Sequence, residues 1–132
     1  MSGHDVHIAL APDDLYEPGV NEQDVYEVVI GGWGNTKSAI RRGNQGRELA
    51  SAETPSIISA DEWRGFWIST RMTEENSLEI TFGKIGQAIP LMLGIDPDPV
   101  DMQYLGLASW GGGMEAFYRN VRTGKVDEIF FT

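Results

Sequence analysis

The chain predicts an all-β fold, an antiparallel β-sandwich or jelly roll, on three observations. Short apolar stretches alternate with a period of two, the pattern of strands with one covered face. Turn signals rich in Gly, Pro, Asn and Asp separate them at intervals of about 8–12 residues. No long stretch shows the 3.6-residue period of an amphipathic helix.

At 132 residues the chain is long enough for one domain with a single core. It divides into an N-terminal strand and loop over 1–24, a core over 25–117 and closing strands over 118–132. In the first segment Val6, Ile8 and Leu10 alternate with Asp5, His7 and Ala9, predicting an edge or terminal strand over 4–11. APDDLYEPGVNEQD follows as a long loop, with Leu15 and Tyr16 expected to tuck against the body.

VYEVVIGGWGNTKSAIRRGNQ is the best-defined stretch. Val25, Val28, Val29 and Ile30 with Tyr26 suit a pleated, half-buried surface. Gly31, Gly32 and Gly34 end that strand, and Thr36, Ser38 and Ile40 then alternate with Lys37, Ala39 and Arg41. This predicts a hairpin whose turn displays Trp33 and Asn35. A competing interpretation makes GGWG a phosphate-binding turn, but that motif needs a following helix. Ala39 and Ile40 give the interval no helical face, and Lys37 stands where the third glycine belongs.

Farther on, 43–58 is polar with small residues, and Pro55 forbids a regular helix through its middle. Strands are expected over 64–70 (RGFWIST), through Leu78, Ile80 and Phe82, and over 88–94 (AIPLMLG), with Pro90 at an edge or bulge. DPDP makes a stiff connection, because each Asp precedes a proline. Strands over 102–109, 115–119 and 128–131 complete the series, with Arg122-Thr123-Gly124-Lys125 as the last turn.

Twenty acidic residues against ten basic ones, a net charge of −10, argue against nucleic-acid binding. Cysteine is absent, so disulfides and thiol chemistry contribute nothing. No stretch approaches a membrane helix, and MSGHDVHIAL does not read as a signal peptide. The compartment is therefore open: a cytosolic protein, or one that has lost a leader.

YEVVIGGWGNTKSAIRR, DEWRGFWIS, ITFGKIGQAIPLM and DPDPVDMQYLGLASWGGG, in that order, resemble the farnesoic acid O-methyltransferase-like domain, a β-sandwich module of animal proteins. The resemblance spans 25–117. The family name implies methyl transfer to a juvenile-hormone precursor. The module's use resembles that of small extracellular recognition domains, some of them sugar-binding.

Nothing in these residues forms a catalytic constellation: His4 and His7 are expected near an exposed terminus, and adjacent acids such as Asp61 with Glu62 or Glu74 with Glu75 point to opposite faces of a strand. The expectation is a non-enzymatic carbohydrate-binding protein, a lectin with a leaning toward galactosides, working without a cofactor. Its partners would be glycans or glycoconjugates, and a homodimer or homotetramer would supply multivalency. The alternatives are a protein-interaction module and a methyltransferase acting on farnesoic acid.

A sugar site needs a flat aromatic face and a few fixed polar groups. Trp33 and Trp110 lie in Gly-rich turns, with Asn35, Lys37, Arg41, Asp98 and Glu115 near them in sequence. The plainer alternatives are that both tryptophans cap the core and that Lys37, Arg41 and Arg42 are surface charges paired with acids. Trp63 and Trp67, four apart, would share a strand face opposite Phe66 and Ile68. Asp96, Asp98 and Asp101 bring oxygen ligands together, but without the spacing of an EF-hand, so no metal is expected.

Overall fold

The computed structural model describes residues 5–11, 25–43, 46–59, 61–100, 104–110, 122–123 and 128–131, with backbone only at 11, 104–110, 122–123 and 128–131. Two five-stranded antiparallel sheets form a β-sandwich. The first has the order β4-β3-β2-β1-β8, built from β1 (Asp5–Ala11), β2 (Tyr26–Gly31), β3 (Lys37–Arg42), β4 (Arg47–Glu53) and β8 (Tyr104–Trp110). The second has the order β7-β6-β5-β10-β9, built from β5 (Phe66–Met72), β6 (Leu78–Lys84), β7 (Met92–Asp96), β9 (Arg122–Thr123) and β10 (Glu128–Phe131).

Period-two alternation sets the faces. Ile8 and Leu10 of β1, Tyr26, Val28 and Ile30 of β2 and Ile40 of β3 point inward, against Phe66, Ile68, Leu78, Ile80, Phe82 and Met92 of the second sheet. Phe66 and Phe82 stack with ring centroids 5.5 Å apart. The expected hairpin is present: Val28 pairs with Ile40 and Tyr26 with Arg42. The glycine turn is a single four-residue helical turn, Gly32–Asn35, that leads straight into β3, so it is not followed by the longer helix a phosphate-binding turn needs.

Four expectations change. β1 is an interior strand, paired with β2 on one side and β8 on the other; alternation reports the two faces of a strand but not its hydrogen-bonded neighbours. Residues outside the expected strands form β4, an edge strand that turns only small or partly buried side chains (Leu49, Ala50, Ala52) toward the core. A register shift beside Ile40 and Arg41 breaks its alternation further. β5 begins at Phe66, so Trp63 lies outside it. β7 begins at Met92, past Pro90, which cannot donate to the ladder. The closing element matches β10, and its expected turn begins with β9. The loop with Leu15 and Tyr16 and the expected strand over 115–119 lie outside the described residues.

One rim of the sandwich is tied by a buried carboxylate. Asp96, at the end of β7 and fully buried, accepts hydrogen bonds from the Tyr26 hydroxyl (2.7 Å), Arg42 Nη1 (2.5 Å) and the Asp98 N–H (3.0 Å). Arg47 stands 3.7 Å away, and the Val100 N–H donates to the Tyr26 hydroxyl at 3.2 Å. Burial alone would raise the Asp96 pKa, but the Tyr26 hydroxyl, the Asp98 N–H and Arg42 outweigh it and hold the carboxyl below 3.8. The Tyr26 phenol is pushed up to about 12 by burial and by its bond to Asp96. Asp96 thus serves as the counterion of two arginines, one from β3 and one from β4. Asp101 lies outside the described residues.

Candidate functional site

The β2–β3 connection is a single helical turn, Gly32–Asn35 (α1), with left-handed backbone inside it: Trp33 has φ 53°, Gly34 75° and Asn35 63°. Glycine adopts this region freely and asparagine tolerates it, whereas a tryptophan there costs about 1–2 kcal/mol. The loop over 54–58 holds the turn in place. Asn35 Nδ2 donates to the Ile58 carbonyl (2.9 Å) and Asn35 Oδ1 accepts the Ile58 N–H (3.1 Å). The Ser56 N–H donates to the Asn35 carbonyl and the Thr54 N–H to the Thr36 carbonyl, both at 2.8 Å. Gly31, at φ 69°, has no room for a side chain because Ile58 packs against its Cα.

The result is an indole held 50 % exposed above the outer face of the first sheet. Lys37 and Arg41 rise from that face of β3, with Lys37 Nζ 4.6 Å and the Arg41 guanidinium carbon 5.1 Å from the ring centroid. Each cation has an acid. Lys37 bonds Glu48 at 2.9 Å, and Arg41 Nη1 lies 3.5 Å from Glu27 Oε1.

Glu27 in turn contacts His7, whose Nδ1 is 3.0 Å from the same Oε1. On its other side His7 Nε2 lies 2.9 Å from Asp5 Oδ2, an ion-pair contact out of line for a hydrogen bond. Burial by itself lowers the His7 pKa; the contacts with Glu27 and Asp5 outweigh it, and the net effect is to raise it above 6.5. His7 is therefore not at an exposed terminus. It sits mid-sheet between two carboxylates, its side chain only 17 % exposed.

The expected site residues separate into groups. Trp33, Lys37 and Arg41 come together. Asn35 is at the same turn, but its amide is committed to Ile58. Asp98 is at the other end of β3, where its carbonyl accepts from Arg42 at 2.7 Å. Lys37 and Arg42 are five residues apart on that strand, roughly 17 Å. The backbone of Trp110 pairs with Asp5, at the Trp33 end of the sheet, while Glu115 lies outside the described residues. Arg42 parts from its neighbours and turns to Asp96. Sequence reasoning passed over Asp5, His7 and Glu27 as site residues; their signal was polar residues standing opposite the inward Val6, Ile8, Leu10, Val28 and Ile30 on β1 and β2.

A second aromatic feature lies on the outer face of the second sheet. Trp67 rests on Gly83, where any side chain would overlap the indole, and its N–H donates to the carbonyls of Lys84 (3.0 Å) and Gln87 (3.2 Å). A groove of about 480 Å³ runs beside it, lined by Ser69, Thr81, Gln87, Ala88 and Pro90. Ile89, Leu93 and Ile95 are exposed near it in sequence, because β7 turns Met92, Gly94 and Asp96 inward. Among the described residues no group of three or more His, Cys, Asp or Glu side chains is placed to hold a metal ion, and no helix is long and apolar enough to cross a membrane.

Fold and site together define a two-sheet antiparallel β-sandwich with an aromatic–cationic platform at one hairpin turn. The family model for farnesoic acid O-methyl transferase matches residues 1–122, and the chain belongs to that family. The match is wider than the resemblance seen over 25–117 and takes in β1, with Asp5 and His7. No curated protein and no solved structure matches the chain.

Proposed function

We propose that the domain is a non-enzymatic carbohydrate-binding module whose site is the outer face of the first sheet around Trp33. The observation that carries this is the half-exposed indole, held at a left-handed φ that a smaller residue would adopt at less cost. A flat apolar surface beside fixed donors and acceptors is the chemistry a pyranose ring needs. The cations are matched by Glu27 and Glu48, so the platform offers hydroxyl partners of both kinds without a net pull on a charged sugar. A neutral hexopyranose such as a galactoside suits it. One such site is weak alone, and assembly as a homodimer or homotetramer would raise avidity.

A glycan array with purified protein, with and without EDTA, tests this. Selective binding to a neutral terminal sugar is expected, weakened by at least about 30-fold in Trp33→Ala, the scale of an aromatic anchor at an interface. A blank array, or an array unchanged by Trp33→Ala, would refute it. The family description favours a second reading, methyl transfer to farnesoic acid. Incubating the protein with a methyl donor and that acid, and looking for the ester, decides it. The exposed Ile89, Leu93 and Ile95 favour a third, a protein-interaction face on the second sheet, which a defined binary complex would support.

A further inference from the structure

We infer that His7 is a positioning residue and a proton switch for the Trp33 platform. Its cationic form bridges Glu27 and Asp5 so that Arg41 stays against the indole, and loss of that proton on the alkaline side releases the arrangement. The functional consequence rests on the carbohydrate reading; the switch itself does not.

The groups around the imidazole can be named element by element. From β1 there is Asp5, at 2.9 Å from Nε2; from β2, Glu27, at 3.0 Å from Nδ1. From β3, Arg41 reaches the same oxygen of Glu27, at 3.5 Å. Lys37 of β3 and Glu48 of β4 form the next pair outward. From β8, Tyr104–Trp110 (YLGLASW) contains no acidic or basic residue.

Only the imidazolium presents a positive N–H edge to both carboxylates, as a hydrogen bond to Glu27 and a charge contact with Asp5, since neutral imidazole has one N–H and one lone pair. With His7 charged, Glu27 lies against two cations, His7 and Arg41. With His7 neutral, one close contact becomes lone pair against anion, and Glu27 bears more strongly on Arg41. The guanidinium is then drawn toward the sheet and away from the ring, so the path from the proton to Trp33 runs through Glu27 and Arg41. The sign follows from the raised pKa: the platform is intact below it and loosens as pH rises through it.

The test is an NMR titration of the intact protein from pH 5 to 10. It follows the His7 ring C–H, distinguished from His4 with His4→Gln, and the Trp33 indole N–H, assigned with Trp33→Phe. His7 is expected to titrate above 6.5, its ordinary value, with the Trp33 resonance moving at the same midpoint. Glu27→Gln should lower both midpoints together by about one unit or more, and His7→Gln should abolish the Trp33 response. Asp5→Asn provides the same comparison should Glu27→Gln fail to fold. A His7 midpoint at or below 6.5, or a Trp33 resonance that stays still while His7 titrates, would overturn the proposal. Where the array yields a sugar, its affinity should fall roughly two- to five-fold above the midpoint, the scale of one cation–π contact; a constant affinity would overturn the functional consequence. A blank array would remove the carbohydrate reading and leave the NMR result to decide the switch.

Discussion

Replacing Asp96 by Asn tests how the two sheets are joined at their rim. The carboxylate is fully buried and receives Tyr26, Arg42 and the Asp98 N–H within 3.0 Å. The amide has one acceptor oxygen in place of two, so at least one of those donors meets an N–H₂ group. Arg42, whose side chain is 18 % exposed, loses the charge of Asp96. Removing one member of a buried pair costs about 3–5 kcal/mol. The carbonyl of Asp98 still accepts from Arg42, which points to the lower end, about 3 kcal/mol. For a chain of this size that lowers Tm by roughly 12 °C.

Urea denaturation at pH 7 reads this loss, with the m-value unchanged if only the native state is affected. The pH dependence is a second check. A carboxylate held below 3.8 contributes stability that is present above that value and lost as pH falls through the lower native pKa. The gap between the parent protein and Asp96→Asn should therefore narrow below about pH 4. Tyr26→Phe should cost less in the Asp96→Asn background than alone, because the two groups share one bond. A loss under about 1 kcal/mol, or a gap constant from pH 3 to 7, would refute the assignment of Asp96 as an ionised tie.

At Asn35 both Ala and Gly lose the paired bonds to Ile58, but Ala also meets the left-handed φ of 63°. Asn35→Ala should be less stable than Asn35→Gly by about 1 kcal/mol in urea, reversing the usual order of these residues. Gly83→Ala places a methyl group under the Trp67 indole. A destabilisation of about 2 kcal/mol, with a change in tryptophan fluorescence, is expected; parent-like stability and emission would show that the ring does not rest there.

The hairpin and the sandwich were legible because Val28, Ile30, Ile40, Ile68, Ile80 and Phe82 all fall on one side of a period-two pattern. β4 was not, because an edge strand with alanines inward and a register shift gives little alternation. Trp33, Lys37 and Arg41 were legible as a group because a turn and positions two strand repeats apart on one face are local. Asp98 looked close to the site only for want of topology; the Arg42–Asp96 tie fixes it at the far end of β3. His7 was hidden by the assumption that residues near a chain end are exposed, which fails when β8 returns to pair with β1 and makes it an interior strand.

The outer face of the first sheet poses an energetic question that stability alone does not answer. Asp5, His7, Glu27 and Arg41 have side chains only 8–17 % exposed. Charges this occluded lose much of their hydration, and apolar residues in their place would commonly be neutral or stabilising. Beside them Trp33 occupies a backbone region that disfavours it. Two departures from local preference side by side motivate the binding site proposed here. They also share an outcome: the loop over 54–58 sets the height of the indole, and the ion chain from Asp5 to Arg41 sets what lies against it. Neither would need such control if the tryptophan only shielded the core, because a shielding side chain gains by being covered.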